Sequence, residues 1–133
     1  MNAIDTNVLV RFLVCDDQSM TERARRIFEH ARDESEPLLV TTLVLLETLW
    51  VLRSFYDFSR DAIIDAVKKL GALHAISFES QSVLYSFIEE AASVNTDLAG
   101  ILIGLQAKAA GPETTMTFDR KAAKNALFTE MPP

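Results

Sequence analysis

Four acids in this sequence stand where a carboxylate can do chemistry. Asp5 follows the short apolar run Ala3-Ile4. Asp119 follows Thr114-Thr115-Met116-Thr117 and Phe118. Both positions read as the ends of strands. Glu47 interrupts the apolar stretch Leu43–Trp50, and Asp97 stands with Thr96 at the start of a helical pattern. Carboxylates brought together in this way hold Mg²⁺ or Mn²⁺, which keeps several waters and meets phosphate oxygens. Such an ion lowers the pKa of a bound water and offsets the charge that grows on a phosphate.

Each acid also has a plainer use. Aspartate is a favoured helix cap, and at a helix start it suits the dipole, which covers Asp5, Asp97 and Asp119 taken singly. Glu47 is different. A buried ionised carboxylate is costly unless paired or metal-bound, so it either serves a site or reaches water or Arg53 from the helix margin. Arg120, Lys121 and Lys124 flank Asp119, and Arg11 lies one helix from Asp5. They read as phosphate contacts or as solvated helix ends. His30 and His74 lack the spacing of metal ligands. Cys15 has no base nearby in sequence, which argues against a cysteine hydrolase.

The elements that must position these residues alternate. Ala3-Ile4 is a short strand, and Thr6-Asn7 then caps a helix with Val8, Leu9, Phe12 and Leu13 on its apolar side. Ser19-Met20-Thr21-Glu22 reads as a capping box opening a helix to about Ala31, with Ala24, Ile27, Phe28 and Ala31 as its stripe. Leu38–Val40 is a buried strand behind Pro37. The helix from Thr42 carries Leu43, Leu46 and Trp50, with Leu45, Leu49 and Leu52 filling its other sides. Ser59 or Asp61 caps the next helix, which Gly71 stops. Ala75–Ser77 is a strand, Ser80 caps a helix through Ala91, and Thr96 or Asp97 opens another that ends near Gly111. Thr114–Thr117 is a strand and Leu127–Thr129 a weak last one. Short apolar strands alternating with helices predict one α/β domain over 1–133 with a mostly parallel sheet flanked by helices. Sites in such sheets lie beyond the carboxyl ends of the strands, which draws Asp5 and Asp119 together despite their separation in sequence.

Bulk composition is compatible with this. A chain of 133 residues with 49% hydrophobic content closes a core as one domain. A net charge of −6 counts against simple electrostatic binding of nucleic acid. It leaves open an enzyme that holds RNA through metal ions, and it suits a basic protein partner. No apolar run approaches the roughly 20 residues of a membrane span. No basic leader precedes an apolar stretch, so no signal peptide is expected. A single cysteine fits a reducing cytoplasm.

Three blocks carry a family resemblance: Asp5-Thr6-Asn7-Val8-Leu9, Glu47 within Leu45–Leu52, and Thr115-Met116-Thr117-Phe118-Asp119-Arg120-Lys121-Ala122-Ala123. In order and spacing they resemble the conserved blocks of PIN-domain proteins, most closely the VapC-like toxins. The resemblance implies a PIN-like fold and a Mg²⁺- or Mn²⁺-dependent endoribonuclease. It also implies a dimer, held in check by a cognate antitoxin. By resemblance Asp5 and Asp119 belong to the acidic metal site and Glu47 supports it, and Asp97, on the same helical face as position 100, is taken as a further metal-site acid. Thr6, Asn7 and Thr117 help shape it; Arg120, from its place beside Asp119, is the candidate substrate contact. One position departs from the pattern. The family's third acid begins an Asp-x-Leu-Ile-Gly motif, and here the motif reads Gly100-Ile101-Leu102-Ile103-Gly104. Gly100 offers no ligand, which predicts weakened activity. The alternative is a catalytically degenerate PIN domain that binds antitoxin or RNA. A signalling receiver domain ranks far below both, because it needs an acidic pair at the end of the first strand. The aromatic content around Leu49, Trp50, Leu52, Phe55 and Tyr56 suggests a homodimer interface.

Overall fold

The computed structural model describes all residues, Met1–Pro133. The chain divides into two compact units, Met1–Gln81 and Ser82–Pro133.

The first unit holds helices α1 (Thr6–Val14), α2 (Gln18–Asp33), α3 (Thr42–Ser54) and α4 (Arg60–Gly71), with strands β1 (Leu38–Val40) and β2 (Ile76–Phe78). The strands pair in parallel, with Leu38 opposite Ile76 and Val40 opposite Phe78. The expected first strand is reduced to one parallel bridge between Ala3 and Leu39. It is held by the Ile4 N–H on the Leu39 carbonyl at 3.0 Å and the Leu39 N–H on the Asn2 carbonyl at 2.8 Å. Three chain segments therefore run side by side in one direction, and their carboxyl ends lead to Asp5, Thr41 and Glu79.

Local chemistry sets the helix boundaries. Ser59 caps α4 by accepting from the Ala62 N–H at 3.1 Å, which decides between the two expected caps. The capping box expected at Ser19 is not the start of α2. Asp17 caps it, accepting from the Met20 N–H at 3.0 Å. Thr21, the third residue of that box, is buried and turns its hydroxyl to the Arg11 carbonyl at 3.3 Å. Phe12 and Phe28 meet edge to face with centroids 4.3 Å apart, fastening α1 to α2.

The buried face of α3 also differs from expectation. It is Leu45, Thr48, Leu49 and Leu52, at helical spacing, rather than Leu43, Leu46 and Trp50. Thr48 is fully buried because its hydroxyl bonds back to the Val44 carbonyl at 2.7 Å and needs no water. Leu43 is 77% exposed, Trp50 58% and Phe55 76%. Of the aromatic cluster expected at an interface, Leu49 and Leu52 are core residues and Trp50 and Phe55 lie at the surface.

The second unit begins one residue into α5 (Gln81–Ser93) and holds α6 (Leu98–Ala109), β3 (Thr115–Thr117), a 3₁₀ turn at Ala122–Lys124 and β4 (Phe128–Glu130). Strands β3 and β4 are again parallel, with Thr115 opposite Phe128. Asn125 is buried and organises this unit. Its amide donates to the Thr96 hydroxyl at 3.0 Å and to Glu90 at 3.4 Å, and its carbonyl accepts from the Leu127 N–H at 2.9 Å. No helix is long and apolar enough to cross a membrane.

Candidate active site

Within the first unit, Asp5 stands where the bridge segment turns into α1. It is the N-cap of that helix and accepts from the Thr6 N–H at 2.7 Å. Its side chain is exposed. Thr6 behind it is only 6% exposed, and its hydroxyl has no hydrogen-bond partner. A buried hydroxyl without a partner costs free energy unless a ligand or water completes it. Asn7 projects into solvent beside them.

Glu47 is exposed on α3, and Arg53 makes no ion pair with it. The desolvation argument for Glu47 therefore fails: the helix margin keeps it in water. Sequence reasoning missed Glu79. Its carboxylate crosses from the end of β2 to accept from the Thr42 N–H at 2.8 Å, while Thr41 caps the Val44 N–H at 3.2 Å. These two bonds hold the start of the helix that carries Glu47. Arg11, expected as a phosphate contact, is engaged: it pairs with Asp16 at 2.6 Å, and Tyr56 donates to the other Asp16 oxygen at 2.8 Å. The Arg11 and Tyr56 hydrogen bonds hold the Asp16 carboxyl below its ordinary pKa, and the bond to Asp16 pushes the Tyr56 phenol up.

Within the second unit, Asp119 lies just past the carboxyl end of β3. One of its oxygens accepts from the Lys121 and Ala122 N–H groups at 2.9 and 3.2 Å, and its own N–H donates to the Thr117 hydroxyl at 3.0 Å. The turn thus fixes the carboxylate direction, and Thr117 sets the approach to it. Asp97 is the N-cap of α6 and accepts from the Gly100 N–H at 3.3 Å. Arg120 sits in an exposed ion pair with Glu130 at 3.4 Å, the kind of contact worth little in water.

Hard oxygen donors at strand ends suit Mg²⁺ or Mn²⁺ in kind. Within neither unit do three Asp, Glu, His or Cys side chains gather as a ready metal cluster. The donors fit an ion held by one or two carboxylates and completed by water and phosphate, the usual mode for Mg²⁺.

Parallel strand pairs, intervening helices and aspartates just past strand ends define an α/β protein of the kind that binds its ligands at strand carboxyl ends. The PIN domain model matches residues 3–126, and the chain belongs to that family. It is 26% identical over 136 residues to a VapC ribonuclease of Aquifex aeolicus (strain VF5), a match covering 99% of this chain and 97% of that relative. No solved structure matches significantly.

Proposed function

We propose that this protein is a metal-dependent endoribonuclease of toxin type, weakened by Gly100 where the family pattern has an aspartate. The observation that carries this reading is the full-length likeness to a VapC ribonuclease, together with the PIN match that spans Asp5, Glu47, Asp97 and Asp119. Asp5 and Asp119 are the proposed metal ligands, Asp97 a third and weaker one, and Glu47 a supporting acid. When bound, the ion supplies an activated water and offsets phosphate charge. The protein's own share is positioning. The Thr6 hydroxyl, buried and without a partner beside Asp5, is a donor for a substrate or water oxygen. Thr117 and the Lys121 and Ala122 amides orient Asp119, and Arg120 and Asn7 are proposed substrate contacts. The partners in this reading are RNA and an antitoxin protein, and the setting is the cytoplasm.

The test is RNA digestion with Mn²⁺ or Mg²⁺ against the same reaction in EDTA. Asp5→Asn and Asp119→Asn are each expected to remove at least a hundredfold of whatever cleavage the parent shows, the roughly 10²–10³ scale of a deleted electrostatic group. Cleavage that persists in EDTA, or in both variants, sinks the proposal.

A homodimer belongs to the same proposal, supported by Leu43, Trp50 and Phe55 standing exposed on and beside α3. Light scattering of the purified chain should read twice 14.8 kDa. A mass of one chain at micromolar concentration removes this part alone.

A further inference from the structure

The Asp5 side of the first unit opens into a cavity of about 680 Å³ between the chain start, α1, α2 and β1. Its wall includes Asp5 and three basic residues of α2: Arg23, Arg26 and His30. The three fall at i, i+3 and i+7, so they form one stripe over about 10 Å of helix. A second cavity of about 350 Å³ shares Val8, Arg23 and Ile27 with the first and reaches Asn7. A groove therefore runs along α1 and α2 past the proposed reacting end of Asp5, with Arg23 at its middle.

The charge on this groove is out of keeping with the rest of the chain. The protein is acidic overall, yet four of its thirteen Lys and Arg residues lie on α2. Two of those, Arg25 and Arg32, are taken up by Glu22 and Asp33. Arg23 and Arg26 are exposed and enter no ion pair, although Glu36 shares the cavity wall. Two exposed guanidinium groups that enter no ion pair, on the same wall as Asp5, are available to an anionic occupant. Ile27, 45% exposed and lining both cavities next to Arg23, adds an apolar surface to the groove.

We infer that Arg23, Arg26 and His30 form a phosphodiester-binding subsite that holds single-stranded RNA flanking the bond presented to Asp5. Arg23 and Arg26 carry the charge and the bidentate donors suited to phosphate oxygens, and His30 adds a ring N–H. The inference rests on the ribonuclease reading and deepens it. It offers an acidic protein a place for RNA: the chain carries −6 overall, whereas on this wall Arg23 and Arg26 balance Asp5 and Glu36.

The experiment measures binding without cleavage. A short fluorescein-labelled single-stranded RNA is titrated with the full chain in EDTA by fluorescence polarisation, from about 50 to 200 mM salt. The variant is Arg23→Gln with Arg26→Gln. The control is Arg25→Gln with Arg32→Gln, which removes the same charge from the same helix outside the groove. The groove variant is expected to lose about 1.4 from the slope of log affinity against log salt, at roughly 0.7 per phosphate contact on a single strand. At 0.1 M salt that amounts to roughly a 25-fold weaker complex. The control should stay within about threefold of the parent, and circular dichroism should show both variants folded. Three results overturn the subsite: equal losses in variant and control, no loss in the groove variant, or no RNA binding by the parent. A polyglutamate peptide that binds the parent through Arg23 and Arg26 while RNA does not would also overturn it, in favour of an acidic protein partner. Because no metal is present, these outcomes are independent of whether the Mn²⁺ digestion succeeds.

Discussion

Gly100→Asp should raise divalent-metal affinity at least tenfold and RNA cleavage roughly a hundredfold. These are the scales on which groups supporting a metal site and transition-state electrostatic groups act. The structure admits the change. A Cβ at position 100 meets only the Thr96 Cγ2, at 3.9 Å, an ordinary contact. The position is the third residue of α6, where an acid suits the helix dipole. Asp97 is a poor substitute as the structure stands, because its carboxylate is engaged with the Gly100 N–H. Turning it toward a metal gives up a cap worth about 1 kcal/mol, several-fold in affinity. Both forms are compared in the same Mn²⁺-supplemented digestion, with calorimetry for Mn²⁺ binding. Equal and vigorous cleavage by the Gly100 form would show that Asp97 or another group already completes the site.

The other glycine of the same motif behaves in the opposite way. Gly104→Val should cost about 2 kcal/mol and lower the thermal midpoint by roughly 6–10 °C. A Cβ there lies 3.0 Å from Leu127 Cβ, 3.2 Å from Phe128 Cε2 and 3.3 Å from Leu127 Cδ1. Leu127 and Phe128 are buried where the chain enters β4, so they have little room to yield. The better helix propensity of a non-glycine residue returns less than about 1 kcal/mol, too little to offset the overpacking. Gly100→Ala, four residues away where a Cβ makes only an ordinary contact, should leave the midpoint unchanged or raise it. If Gly104→Val melts with the parent in a calorimetric scan, α6 does not press on β4 as closely as these distances require. Two glycines at one helical spacing thus differ in kind: position 100 has room for the proposed ligand, and position 104 is closed by a packing contact.

Much of this was legible in the residue pattern. Ser59, Asp97, Gly71 and the run Leu38–Val40 marked boundaries that the structure keeps within a residue or two, because caps and short apolar strands are local. Features that depend on partners were hidden. Helix α3 is apolar on most sides, so its periodicity did not reveal that Thr48 is buried while Leu43 and Trp50 face solvent. The Thr48 hydroxyl satisfied by Val44 is what settles the face. Glu79 carried no signal in the sequence, and only the fold brings it to the Thr42 N–H. The proposed site acids were picked out by strand ends and ordered blocks, not by burial: Asp5, Glu47, Asp97 and Asp119 are all exposed. Arg23, Arg26 and His30 stand at helical spacing in the sequence, but the inference drawn from them needs the cavity beside them.

The buried amide of Asn125 leaves a mark on how this chain can evolve. Its carbonyl serves the Leu127 N–H, and its amino group serves Thr96 and Glu90, so one side chain joins three separate stretches of sequence. A replacement at 125 alone strands buried polar groups, while a matched change at 90 or 96 softens the loss. Positions 90, 96 and 125 should therefore drift as a linked set among descendants of this chain. Thr96 adjoins Asp97, so that linkage also constrains the corner from which one of the proposed acids is presented.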